Sequence, residues 1–163
     1  MPVKRYLAPS DFTAADTWRL VEWCRSLGAD EFTIDSLGTD GVVARKFWTR
    51  FEKAVNPFSR GEKIRERMSG PTADELTRST QVWELNHSTI EALTKALPGG
   101  LLQYEPGEGG GGWFEDPVLY RDGRLMLGTL SHEAFAVLCI SEAELAQLEA
   151  AGFPSHDSLP RIG

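Results

Sequence analysis

The sequence predicts an α+β domain: an antiparallel-rich sheet with a C-terminal β-meander over about 117–140, and helices packed on it. Three observations predict it. Asp122-Gly123 lies between "VLY" and "RLMLGTL", and an Asp-Gly pair suits a type I′ hairpin turn, which needs positive φ at both central residues. "AFAVLCI" (134–140) is apolar throughout, as expected of a central strand covered on both faces. Three segments carry capping-box spacing, Thr13/Asp16, Ser88/Glu91 and Ser141/Glu144, and each opens a helical pattern beside short strand-like runs.

The elements follow in chain order. "VKRYL" (3–7) reads as a short strand. A helix then starts near 10–13 and runs to Leu27, with Leu20, Cys24 and Leu27 as its core stripe and Gly28 at the C′ position. "EFTID" (31–35) alternates like a strand. Residues 42–55 form a second helix: Val43, Phe47, Phe51 and Val55 face the core, and Lys46, Arg50 and Lys53 share another face. Asn56-Pro57 ends it. Residues 58–80 are polar, with Gly61, Gly70 and Pro71, and are expected to hold one or two short helices. "QVWEL" (81–85) is a strand, and a helix runs from Ser88 to Pro98-Gly99-Gly100. "LLQYE" (101–105) is the next strand. The meander follows, then a helix over 142–151 closed by Gly152, and residues 153–163, with two prolines, are expected to form a loose tail.

At 163 residues the chain has the length of one domain and can bury roughly 68–70% of its unfolded surface without disulfides or metal. No apolar run reaches the length of a membrane span. "MPVKRYLAPSDF" has no apolar stretch after Lys4 and Arg5, so it is not a secretory signal and the expectation is a cytoplasmic protein. Cys24 and Cys139 lack a CxxC partner and read as buried thiols.

The net charge is −7, and all of the acidic excess lies in the last third. Residues 101–163 carry three Lys/Arg against ten Asp/Glu, while residues 45–67 hold eight basic side chains against three acidic ones. The two segments can present faces of opposite sign if the fold separates them. The basic segment interleaves Trp48 and Phe58 in the manner of a nucleic-acid binder. A pI near 5.0 argues against that partner and for a solvated face in which Glu52, Glu62 and Glu66 neutralise part of the charge.

"EPGEGGGGWFEDP" (105–117) is the most unusual stretch. A phosphate loop would need Lys and Ser/Thr after its last glycine, yet Gly112 is followed by Trp113-Phe114. The run opens a strand rather than a helix, and Glu108, Glu115 and Asp116 would repel phosphate. Two readings remain: a flexible inter-strand loop, or a binding lip with Trp113 and Phe114 as partly exposed anchors and the acids as rim. His132-Glu133 begins like a zinc-protease motif, but position 136 is alanine where the second histidine would stand. No histidine or cysteine has metal-ligand spacing, and nothing calls for a cofactor.

Function is read accordingly as non-enzymatic: an intracellular interaction protein binding a protein partner of basic character. The contact would be the acidic C-terminal face, including Glu108, Trp113, Phe114, Glu115 and Asp116. The alternative is a small hydrolase or ligand-binding domain using His132, Glu133 and Asp116; a third is nucleic-acid binding through 45–67. As a small acidic cytoplasmic α+β domain without a catalytic motif, the chain is similar in general character to bacterial toxin-immunity proteins, a likeness of composition rather than of motif.

Overall fold

The computed structural model describes residues 2–36, 42–68, 75–102, 114–130 and 135–159. The described strands form one antiparallel sheet of seven: β1 (Val3–Leu7), β2 (Glu31–Ser36), β3 (Ser59–Met68), β4 (Glu75–Glu84), β5 (Phe114–Arg121), β6 (Arg124–Leu130) and β7 (Phe135–Ile140), in the spatial order β1-β7-β6-β5-β2-β4-β3. Four helices accompany it: α1 (Ala14–Ser26), α2 (Val42–Val55), α3 (His87–Ala96) and α4 (Glu142–Ala150). The α+β class and the C-terminal meander are as the sequence predicts.

All four helices pack on one face. Leu20, Val21 and Cys24 of α1, Phe51 and Val55 of α2, Ile90 and Leu93 of α3, and Leu148 of α4 share a single core with Phe32 and Ile34 of β2, Leu119 of β5, Leu127 of β6, and Ala136, Leu138 and Ile140 of β7. Strand alternation sends the intervening residues to the opposite face. There Val118, Tyr120, Leu125, Leu130, Phe135 and Val137 gather around Met68 of β3. Two bulges keep these faces in register. Leu119 pairs with Leu127 but Tyr120 with Leu125, which makes Met126 an extra residue on β6. On β5, Asp116 has φ 53° and stands where the pairing with β2 shifts.

The main departure from the sequence expectation is residues 58–80. Their described residues from Ser59 on form strands instead of short helices: β3 and β4 are two ten-residue strands paired from Ser59–Trp83 to Met68–Glu75. This hairpin curls back over β5 and β6. Tyr120 Oη donates to the Glu66 carbonyl at 2.7 Å, the Leu125 amide donates to Glu66 Oε2 at 3.2 Å, and a Cβ on Gly128 would lie 2.6 Å from Met68 Cγ. The β3 end of the sheet thus folds back over β5 and β6. Arg65 Nη1 donates to the Ile64 carbonyl at 3.0 Å, so carbonyls of the outermost strand have partners beyond those β4 supplies, which guards against edge pairing.

Smaller corrections are local. α3 is capped not by Ser88 but by Asn86, whose side chain accepts from the Thr89 amide while Thr89 Oγ1 accepts from the Asn86 amide. Asn caps as well as Ser, so the box slides two residues upstream. Leu101 and Leu102 are buried in a turn, not a strand; residues 103–105 lie outside the described residues, as does the glycine loop 106–112. No described helix is long and apolar enough to cross a membrane.

Candidate functional site

Two charged assemblies stand out, one internal and one on the surface. The internal one ties the hairpin to the sheet. Glu31 points away from the helices and is 4% exposed. Its Oε1 accepts from Arg60 at 3.2 Å and Lys63 at 3.1 Å, and its Oε2 from Arg65 Nε at 3.0 Å and Nη2 at 2.9 Å. Four residues on, Asp35 pairs with the buried Arg67 and, at 2.8 Å, with Arg78. Burial disfavours the charge on Glu31. The hydrogen bonds from Arg65, Lys63 and Arg60 outweigh that, so its pKa lies below the ordinary glutamate value. Four cations of the 45–67 segment are consumed here, which removes half of the basic surface that a nucleic-acid reading relies on.

The surface assembly lies where α1 begins and α4 ends. Thr13 caps α1 and Asp16 completes the box, its Oδ2 accepting from the Thr13 amide at 3.3 Å. Hydrogen bonds from Thr13, supported by Arg19 at 3.1 Å, hold the Asp16 carboxyl below its usual pKa. α4 starts with the predicted Ser141/Glu144 box, and Glu144 also grips Arg121 at 2.6 and 3.2 Å. α4 ends in a Schellman motif. Gly152, at φ 82°, donates to the Glu149 carbonyl and Phe153 to that of Leu148.

That turn seats Phe153 against Trp23, ring centroids 6.2 Å apart, with the Arg19 guanidinium 5.1 Å from the Phe153 ring. The following residues, expected to begin a loose tail, are tied to β1. Tyr6 and His156 exchange two backbone hydrogen bonds of 2.8 Å, and Arg5 donates to Ser155 Oγ and to its carbonyl. His156 Nε2 lies 2.8 Å from Asp11 Oδ2. Asp11, Asp16 and Glu149 thereby surround a cavity of about 550 Å³ floored by Phe153, with Arg19 as its one lysine or arginine among the described residues. Such a pocket fits a basic side chain: carboxylates take the charge and the ring takes the aliphatic stem.

The residues singled out from sequence fare differently. Phe114 is not partly exposed. It is 2% exposed and packs on Phe51 and Trp48 at 5.2 and 5.6 Å. Two aromatic residues of α2 stand opposite it, a long-range coincidence that the local glycine pattern does not reveal. Glu115 and Asp116 are half-buried on β5. Glu108, Trp113, His132 and Glu133 lie outside the described residues. Cys24 is buried and its thiol is pushed up to about 12 by desolvation, so it is held protonated. The described residues hold no group of three or more His, Cys, Asp and Glu arranged for a metal ion.

Sequence reasoning missed Asp11, Glu149 and Phe153 as site residues. The available signals were the capping box at 13–16 and the glycine at 152, which mark helix ends but not that the two ends meet. No protein-family model, curated protein or solved structure matches the chain.

Proposed function

We propose that this is a non-enzymatic protein that binds a basic surface of another protein through the acidic groove between the start of α1 and the end of α4. One observation carries the reading: Asp11 and Asp16 from the start of α1 and Glu149 from the end of α4 converge on one open cavity floored by Phe153. The exposed Glu142 and Asp157 extend the acidic character along the C-terminal segment. A field of one sign steers an oppositely charged partner and raises its association rate, and the ring-floored pocket supplies a place for one anchoring side chain. The reading keeps the basic partner and the acidic C-terminal face expected from sequence, and places the anchor at Phe153 instead of the glycine loop.

The test uses Asp11→Arg/Glu149→Arg protein, which leaves the Asp16 cap intact. Native-host lysate is passed over wild-type and variant baits, and the captured partner is titrated calorimetrically against both. The expected result is a melting curve within a few degrees of wild type, affinity lowered roughly tenfold or more, and a weaker salt dependence. Equal affinity and equal salt dependence in the two proteins would rule the groove out as the contact.

A further inference from the structure

The outer face of α2 presents the opposite chemistry. Lys46, Arg50 and Lys53 are exposed at i, i+4 and i+7 spacing, which strings them about 6 and 10.5 Å apart along the helix axis. None of the three forms an ion pair with a described carboxylate, and the only acid on α2 is the half-buried Glu52. The contrast with the rest of the molecule is sharp. Arg19, Arg25, Arg60, Lys63, Arg65, Arg67, Arg78, Lys95, Arg121 and Arg124 each meet a carboxylate. In a chain of net charge −7 the three side chains of this stripe are exposed, while those ten pair within the molecule. It borders a shallow depression of about 520 Å³ lined, among the described residues, by Arg45, Lys46, Thr49, Arg50 and Lys53.

Arg50 also lines a second hollow, of about 190 Å³, between α2 and α3. The buried Phe51, Phe114, Ala92 and Ala96 form its floor, the exposed Ala54 lies on one lip, and Lys95 on the other. A cationic stripe and an apolar slot therefore meet at one guanidinium.

We propose that this composite face docks an acidic segment of a partner protein, its carboxylates laid along Lys46, Arg50 and Lys53 and one apolar side chain set into the hollow. Charge complementarity selects the acidic character. The hollow selects a peptide over a nucleic-acid backbone: a phosphodiester chain offers no isolated apolar side chain. The surface is distinct from the acidic groove, so this inference stands or falls independently of the function proposed above.

The test is fluorescence polarisation with a labelled peptide of about a dozen Glu and Asp residues around one central Phe, long enough at roughly 3.3 Å per residue to span the stripe and reach the hollow. Two probes accompany it: the same peptide with Ser for Phe, and a single-stranded oligonucleotide of equal length. Two variants accompany the wild type: Lys46→Glu/Arg50→Glu/Lys53→Glu, and Ala54→Trp to fill the hollow from its exposed lip. The expected result is saturable, salt-sensitive binding of the Phe peptide, weakened at least about tenfold by removing Phe or by either variant, with melting temperatures unchanged. No saturable binding, equal binding of the Ser peptide, retained binding by the variants, or preference for the oligonucleotide would each overturn the proposal. If a variant fails to fold, the Phe-to-Ser comparison on wild-type protein still decides the role of the hollow, and the oligonucleotide comparison still decides the class of partner.

Discussion

Glu31 carries more of the design than any other single residue. One carboxylate on β2 accepts four hydrogen bonds from three cations on β3, so it fastens the curled hairpin to the sheet. Removing its charge leaves those cations facing a neutral amide. Breaking a buried pair costs about 3–5 kcal/mol; because Arg60 and Lys63 keep roughly a third of their surface in solvent, Glu31→Gln is expected to cost less, about 2–3 kcal/mol, at neutral pH. The pH dependence has a definite sign. The folded-state pKa is lowered, so the contribution is complete above the unfolded glutamate value of about 4.3 and fades as pH falls through the folded value. Urea melts of wild type and variant should therefore differ at pH 7 and differ less at pH 3. A gap of equal size at both would mean that the charge on Glu31 contributes nothing.

At the scale of elements, turns and caps set where each piece begins and ends. α1 and α4 both finish in Schellman motifs closed by Gly28 and Gly152, with Ala29 and Phe153 donating back to Cys24 and Leu148. The β5–β6 hairpin turns on Asp122 and Gly123 at φ 51° and 74°, flanked by the Arg121–Arg124 pair, as a type I′ turn requires. Gly123→Val puts a β-branched side chain into a left-handed conformation, which costs about 2 kcal/mol. In a protein of this size that is a loss of roughly 4–8 °C in Tm, measurable by calorimetry. An unchanged Tm would mean the turn relaxes to another type at no cost.

At the scale of the whole molecule, the fold-back of the sheet depends on β3 lying close over β6. Gly128 makes room for that approach: a Cβ there would meet Met68 Cγ at 2.6 Å, Met68 Sδ at 3.0 Å and Leu125 Cδ1 at 3.1 Å. Gly128→Ala is expected to cost about 1–3 kcal/mol by overpacking, and Met68→Ala about 2–5 kcal/mol by cavity formation. The double variant should lose clearly less than the sum, because the new methyl fills space the methionine leaves. Strict additivity in denaturant melts would show that the two residues do not share the contact. The same fold-back sorts the charges. It draws Arg60, Lys63, Arg65 and Arg67 inward and leaves the α2 stripe on one surface, while the chain ends bring acids together on another.

What the sequence by itself determined is what neighbours along the chain decide. The capping box at Thr13, the Ser141 box, the glycines at 28 and 152, the Asp122-Gly123 turn and the amphipathic period of 42–55 all act within a few residues, through backbone sterics and adjacent hydrogen bonds, and each is found where the sequence puts it. The β3–β4 hairpin was hidden because its pattern is charged rather than apolar. Lys63, Arg65 and Arg67 can face inward only because Glu31 and Asp35, about thirty residues earlier, neutralise them, and no local period records a partner that distant. Phe114 was misread for the same reason: its burial is set by Trp48 and Phe51 across the core. The acidic groove required the tertiary structure most of all, since His156 meets Asp11 across 145 residues of chain. The pairing of β1 with β7, and the backbone bridge from Tyr6 to His156, bring those ends together.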